Sequence, residues 1–293
     1  MLRRLLLISI GLLALGLAFV AGVATHKYRG AIRARLSALQ GSGVIQTNLY
    51  NLSVQKLAVP GEGRDGSIDT LDNGILFFNR RGDAWFVTPE RALQPLSIRA
   101  PINITEFEQD PFNKATTDRD RFSVKDILVQ RAPGADSVRL FAAHMHWNAE
   151  RQCNALPLSV VESTVDALKA ASGAAPSPAW RTLFESQPCR VLIESSDGRT
   201  RHVTLGAGGR LASLSNGRIL LSVGEFSAEY TPGSEGPATA NDSYGKTILI
   251  DPETGAASDY TRGHRNQQGL FAAADGRVWG TEHGSRGGDE LNL

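Results

Sequence analysis

The sequence predicts an all-β chain built as a β-propeller, preceded by an N-terminal hydrophobic helix. Thirty Gly and thirteen Pro punctuate short apolar runs, as is typical of turn-rich β-proteins. Helical spacing is rare after residue 40 and returns only at residues 161–171. Strand–turn–strand segments recur at wide intervals instead, which favours radial repetition over a single sandwich.

Four segments have this strand–turn–strand pattern. The first spans residues 66–88, in which two apolar runs flank a polar turn at 79–83 that contains Gly82. The other three span residues 122–161, 210–250 and 270–280. Because a propeller must close its ring to remove exposed strand edges, we expect further blades beyond Leu293.

The N-terminus has the pattern of a membrane signal-anchor. Arg3 and Arg4 precede an uncharged stretch over residues 5–24, which is close to the about 20 residues that span a bilayer. This stretch is longer than the apolar region of most signal peptides, although small residues at 22–24 leave a cleaved signal peptide open. The basic pair favours a cytoplasmic N-terminus.

This pattern leads to three predicted parts and a location. Residues 1–27 are the anchor or signal peptide, residues 28–45 a stalk helix and linker, and residues 46–293 the propeller. We therefore expect a single-pass protein of the cell inner membrane with its propeller on the periplasmic, extracytoplasmic side.

Charge and cysteine content limit the partners and the compartment. Thirty-one basic residues balance thirty acidic ones, giving a net charge of +1 without a long basic block, so nucleic acid is not an expected partner. Cys153 and Cys189 are the two cysteines. An exported chain can pair them as a disulfide, and two buried thiols are the alternative.

The C-terminal segments carry a resemblance to a known family. They are GHRN at 263–266, QGL at 268–270 and EHG at 282–284, the last continuing to residue 291. In this order, within residues 206–293, the chain resembles the glucose/sorbosone dehydrogenases. Those proteins are six-bladed propellers that oxidise aldose sugars with pyrroloquinoline quinone (PQQ) and calcium. The resemblance therefore implies both cofactors, a sugar substrate and a six-bladed ring.

The resemblance also implies residues that bind the quinone. Arg265 would face the cofactor or substrate, and its planar guanidinium suits the carboxylates of PQQ. Asn266, Gln268 and His283 would complete the cofactor-binding set. The alternative for Arg265 and Asn266 is a structural role in a buried turn between blades.

Calcium is implied at the EHG segment. In the family this loop supplies backbone carbonyl oxygens to the ion, which Gly284 and Ser285 would provide here. Ser285 stands where a proline is usual. Asp289 would support the calcium or, alternatively, cap and solubilise the end of a blade.

The catalytic base of the family is missing from the matching stretch. Family members carry a His there, oriented by an Asp; this chain has Gly206 at the first position and Glu225 at the second. His202 could substitute only through a local shift. His144 and His146 lie in one strand-like run, so we expect them to share a face. Two functions follow: a quinone-dependent sugar dehydrogenase with Arg265 and Glu225 in its catalytic site, or a non-catalytic propeller that binds ligands or envelope partners.

Overall fold

The computed structural model describes residues 42–46, 51–55, 57–59, 66–113, 119–131, 135–173, 177–191, 193–194, 200–201, 205–226, 242–284 and 287–293. By contacts the chain divides into two units, Met1–Val59 and Pro60–Leu293. Within the described residues, no helix has the length and apolar character needed to cross a membrane. The predicted anchor and stalk helix, residues 1–40, lie outside them.

Twenty-two strands and two short helices form the described chain. The strands are β1 (Ser42–Gln46), β2 (Asn51–Gln55), β3 (Gly66–Leu71), β4 (Gly74–Asn79), β5 (Asp83–Val87), β6 (Leu93–Arg99), β7 (Val124–Arg131), β8 (Ser137–His144), β9 (His146–Asn148), β10 (Cys153–Ala155), β11 (Pro157–Thr164), β12 (Arg181–Glu185), β13 (Arg190–Val191), β14 (Ile193–Glu194), β15 (Thr200–Arg201), β16 (Gly208–Ser213), β17 (Ile219–Val223), β18 (Lys246–Ile250), β19 (Ala257–Arg262), β20 (Gln267–Ala272), β21 (Val278–Glu282) and β22 (Glu290–Asn292). The α-helices are α1 (Ile104–Gln109) and α2 (Val165–Leu168), and 3₁₀ turns cover Pro111–Asn113 and Arg119–Arg121.

The first unit contains one described hairpin. Strand β1 pairs antiparallel with β2, so that Ser42 lies opposite Gln55 and Gln46 opposite Asn51. Strand β1 overlaps the end of the segment assigned from the sequence to a stalk helix and linker.

Four antiparallel sheets, which we call blades one to four, form most of the second unit, which also contains the sheets β13-β10-β9 and β14-β15. The strand orders of the blades are β3-β4-β5-β6, β12-β11-β8-β7, β16-β17-β18-β19 and β20-β21-β22. Strand β7 lies between β3 and β16, and β16 in turn contacts β20, so the first strand of each blade is adjacent to that of the next. This is a propeller-like arrangement, as the sequence predicted. The six-bladed ring implied by the resemblance stays a prediction.

The first blade shows why the predicted hairpins form. The Asn79 side chain accepts hydrogen bonds from the backbone N–H groups of Arg81 (2.9 Å) and Asp83 (3.0 Å), which closes the turn between β4 and β5. Gly82 takes a φ of 87°, a left-handed conformation that favours glycine. On the strands, Leu76 and Phe78 are buried, and each such side chain contributes roughly 1.5–3 kcal/mol by leaving water.

Aspartates on the first strands join neighbouring blades. Asp69 on β3 accepts a hydrogen bond from the Val129 N–H on β7 at 2.6 Å. One blade further on, Asp126 on β7 accepts from the Leu211 N–H on β16 at 3.0 Å. Each carboxylate satisfies a backbone donor of the next blade, which fixes the first strands side by side.

A disulfide links the small sheet β13-β10-β9 at its edge. Cys153 in β10 is bonded to Cys189, which directly precedes β13, with 5.6 Å between the Cα atoms.

The helical spacing at residues 161–171 produces only α2, because β11 continues to Thr164. The Thr164 hydroxyl accepts from the Ala167 N–H at 3.2 Å and begins the helix there.

Candidate functional site

A depression of about 300 Å³ opens where the first strands of the four blades begin. Gly66 of β3, Lys125 of β7, Gly208 of β16 and Gln268 of β20 all line it, together with His283 after β21. Every blade therefore contributes to one site, since the first strands lie side by side.

Three cationic side chains line the depression: Arg121, Lys125 and Arg210. The Lys125 ammonium donates to the Arg121 carbonyl at 2.6 Å, and Arg210 Nη1 donates to the Lys125 carbonyl at 3.1 Å. None of these three was named from the sequence as a site residue. No motif marks them, because they meet only when blades two and three pack together.

Asp126 lies beside these cations, with Oδ1 3.8 Å from Arg210 Nη1. Burial raises the pKa of Asp126 to about 6, although two backbone hydrogen bonds and the charge of Arg210 act in the opposite direction. Its Oδ2 accepts from the Leu211 N–H. Asp126 thus positions both the blade-three backbone and the Arg210 guanidinium.

Two amide side chains predicted to bind the cofactor meet at the depression. Asn266 Oδ1 accepts from the Gly208 N–H at 3.2 Å and from Gln268 Nε2 at 2.6 Å. The Asn266 carbonyl also accepts from the His283 N–H at 3.3 Å. Asn266 therefore connects blade three to the start of β20 and to the end of β21 in blade four, and Asn266, Gln268 and His283 all line the depression.

Arg265 takes a different position from its neighbour Asn266. Its Nε lies 3.4 Å from Glu225 Oε1. Its Nη1 donates to the carbonyl oxygens of His283 (3.3 Å) and Gly284 (3.2 Å). The structure thus brings the two predicted catalytic residues together as an ion pair, with the guanidinium on backbone carbonyls.

A buried pair beneath Arg265 fixes the backbone of the GHRN segment. His264 Nδ1 lies 2.9 Å from Glu282 Oε2, and His264 Nε2 lies 2.7 Å from the Thr261 hydroxyl. Glu282 Oε1 accepts from the N–H groups of Arg265 and Asn266. Burial acts to raise the pKa of Glu282, but His264 and these N–H groups hold it below its usual range. His264 thus supports the backbone of this segment through Glu282.

The arrangement around Gly284 does not fit the calcium that the resemblance implies. Calcium takes about 6–8 oxygen ligands. Here the Gly284 carbonyl already accepts from Arg265, and Asp289 Oδ1 accepts from the Gly284 N–H at 3.0 Å. Asp289 also lies 3.6 Å from His283 Nδ1. Ser285 lies outside the described residues, within which no cluster of three or more metal-binding side chains occurs.

The position of the missing base is part of the depression. Gly206 lines it with a φ of 67°, and its carbonyl accepts from the Phe226 N–H at 3.1 Å. A Cβ atom on Gly224 would lie 1.9 Å from the Gly206 carbonyl oxygen. The two backbones therefore approach closely next to Glu225, with no side chain at position 206 to act as a base.

The other histidines considered from the sequence lie elsewhere. His144 ends β8 and His146 begins β9, and both histidines act to lower the pKa of Glu185. His144 is buried against the Ser159 hydroxyl at 3.1 Å, and burial lowers its pKa to about 4. His146 lies 3.8 Å from Glu185. His202 lies outside the described residues.

Fold and site together define a propeller-like protein with a polar, cation-lined ligand depression. Residues 186–293 match the model of the Glucose / Sorbosone dehydrogenase family. The resemblance seen in the GHRN, QGL and EHG segments, all of which lie within these residues, is confirmed.

Individual proteins are similar to this chain over part of their lengths. An uncharacterized protein of Synechocystis sp. is 57% identical over 44 residues, which are 15% of this chain and 10% of that protein. Two solved glucose dehydrogenase structures each superpose with a TM-score of 0.54 at 20% identity. They cover 77% and 78% of this chain, which spans 59% and 65% of their lengths. At this identity they support the fold.

Proposed function

We propose that this protein is a sugar dehydrogenase-like oxidoreductase that holds PQQ and a sugar in its central depression. The observation that carries the proposal is the cluster of Arg121, Lys125 and Arg210 around one depression. A planar ligand with several carboxylates needs such cationic donors. The match of residues 186–293 to the Glucose / Sorbosone dehydrogenase model supports the same ligand.

The residues of the depression suit PQQ in number and type. Three cations can face its carboxylates, while Asn266 and Gln268 offer uncharged donors and acceptors to its ring substituents. A volume of about 300 Å³ lies at the lower end of the range for small-molecule sites. When bound, PQQ would accept two electrons and a proton, as a hydride, from the hydroxyl-bearing carbon of the sugar, while the hydroxyl proton passes to a base.

A second candidate is a non-catalytic propeller that binds an anionic ligand or an envelope partner. Gly206 has no side chain to receive a proton, and Glu225 pairs with Arg265 rather than orienting an imidazole. A base contributes roughly 10²–10⁴-fold to rate, so a protein without one would be slow or inactive.

We also propose that the propeller is exported and anchored in the cell inner membrane by residues 1–27. The basic pair and uncharged stretch of the sequence support an anchor, and the Cys153–Cys189 disulfide is typical of an oxidising compartment. Membrane fractionation and protease protection of intact spheroplasts test this. Cleavage of the propeller only after lysis would contradict it.

The ligand proposal is tested by equilibrium binding of PQQ to the purified full chain. We expect Arg210→Met to weaken binding roughly 10- to 100-fold, because a charge-assisted hydrogen bond contributes about 1.5–3 kcal/mol. Arg218→Met is the matched control, since Arg218 is an exposed residue of the blade-three turn. Equal affinities for both variants and the wild type would contradict a PQQ site at this depression.

Turnover is measured separately, by dye reduction with a panel of aldoses after loading with PQQ. Sugar-dependent reduction that is lost in Arg210→Met supports the dehydrogenase. PQQ binding without reduction of the dye by any sugar supports the non-catalytic propeller.

A further inference from the structure

We infer that the guanidinium of Arg265 takes the place of a divalent metal ion at the carbonyl oxygens of His283 and Gly284, directly after β21. Three acceptors surround this guanidinium and form one cluster: Glu225 Oε1 at 3.4 Å from Nε, and the carbonyl oxygens of His283 and Gly284 at 3.3 and 3.2 Å from Nη1. A carboxylate with two adjacent carbonyls is a set of oxygens that suits a hard cation. In this chain the charge is built into the sequence.

The electrostatics of the cluster require a positive charge. The Glu225 side chain is only 4% exposed, and a buried carboxylate needs a cationic partner or several donors. The guanidinium supplies a permanent charge and several N–H donors in one plane. It can therefore satisfy the carboxylate and two carbonyls at the same time, as a spherical ion would.

The backbone holds Arg265 in place before any ligand arrives. The Glu225 N–H donates to the Arg265 carbonyl at 2.8 Å, and the Arg265 N–H donates to Glu282 Oε1. Glu282 is in turn fixed by His264 at 2.9 Å. Both sides of the Arg265 backbone are thus anchored, which places the guanidinium on the carbonyls without help from a metal.

A metal ion and the guanidinium would compete for the same oxygens. An ion bound by the His283 and Gly284 carbonyls would also lie next to a like charge, which is unfavourable. We therefore expect calcium and chelators to leave the wild-type cluster and its stability unchanged. Removal of the guanidinium should leave a carboxylate and two carbonyls able to bind a cation weakly.

The test measures calcium binding to the full-length protein by equilibrium dialysis with radioactive calcium, and thermal unfolding in EDTA or in calcium. It needs neither quinone nor sugar, so its result is independent of turnover. We expect the wild type to bind no calcium at this cluster and to unfold at the same temperature in both buffers. We expect Arg265→Met to bind one calcium with a dissociation constant on the order of 10⁻³ M, the range of sites with few charged ligands.

Two further variants separate charge from shape and from general effects. Arg265→Lys keeps the charge and should remain insensitive to calcium. Arg277→Met removes an exposed Arg that pairs with Asp275 on the same blade, and it should also remain insensitive. If Arg265→Met folds only in calcium, that rescue supports the inference. Two outcomes would overturn the inference. In the first, the wild type binds calcium and Arg265→Lys binds it equally well. In the second, Arg265→Met neither binds calcium nor is stabilised by it.

Discussion

Arg265 and Glu225 join the end of the second strand of blade three to the start of blade four, with 3.4 Å between Nε and Oε1. The Glu225 N–H also donates to the Arg265 carbonyl at 2.8 Å, so side chains and backbone connect the same two residues. A charge pair between a partly buried guanidinium and a buried carboxylate therefore contributes to the contact between blades three and four.

Replacing the carboxylate tests the strength of this contact. We expect Glu225→Gln to lower the free energy of unfolding by about 1–3 kcal/mol, because a charge-assisted partner of a partly buried guanidinium is lost. Urea denaturation followed by circular dichroism measures the change. Glu253→Gln is the control: Glu253 lies 2.6 Å from Arg139 but is 63% exposed, so its loss should be under about 1 kcal/mol. Equal losses in the free energy of unfolding would contradict a larger contribution from the Glu225–Arg265 pair than from an exposed ion pair.

The disulfide should contribute substantially to stability. It connects Cys153 and Cys189 across 36 residues, and closing a loop of that length stabilises the folded chain by about 3–4 kcal/mol. We expect the double variant Cys153→Ala, Cys189→Ala to lose this amount in urea denaturation. The wild type in reducing buffer should lose a similar amount. An unchanged free energy of unfolding in the double variant and in the reduced wild type would refute the estimate.

Two buried groups should give the stability opposite dependences on pH. Burial lowers the pKa of His144 to about 4, so the unfolded chain binds the extra proton and stability falls as pH drops from about 6.5 to 4. Burial raises the pKa of Asp126 to about 6. The folded chain then binds the extra proton, and stability falls as pH rises from about 4 to 6. Each contribution is roughly 3 kcal/mol.

These two effects nearly cancel in the wild type between about pH 4 and 6. We expect His144→Gln to become more stable on acidification over this interval, since only the Asp126 contribution remains. Asp126→Asn should instead lose stability on acidification. Urea denaturation at several pH values measures both slopes, and slopes of the same sign in the two variants would rule out this pair of assignments.

Restoring an imidazole at position 206 tests the missing base. Gly206 has a φ of 67°, so Gly206→His should cost about 1–2 kcal/mol in left-handed strain. If the depression binds PQQ as proposed, turnover of the loaded protein should rise toward the roughly 10²–10⁴-fold that a base contributes. Gly276→His is matched in backbone strain, with a φ of 88° in an open turn, and should leave turnover unchanged. A rise in turnover in both variants would show that the effect does not depend on an imidazole at position 206.

The strand pairs could be predicted because their signals are local. Glycines at turns such as Gly82 and Gly217 lie between apolar runs, and the structure forms hairpins at both places. The boundary at Met145 between β8 and β9 was not predicted, because the apolar run continues across it.

The composition of the site was harder to predict than its location. Asn266, Gln268 and His283 line the depression as the motifs indicated. Arg121 and Lys125 could not be found, because they join the site through the packing of blade two beside blade three. Glu225 was expected to orient a base, yet its nearest described cation is Arg265. Such partners depend on contacts between distant segments, which motifs do not encode.

The depression takes its lining from positions as far apart as Gly66 and His283. It therefore exists only while the first strands of all four blades remain docked. Any ligand that binds there binds the docked state, and at a hundred times its dissociation constant it would stabilise that state by about 2.7 kcal/mol. A bound ligand would then hold the blades together noncovalently. Its contribution to the free energy of unfolding would be comparable to that of the one disulfide described in the chain.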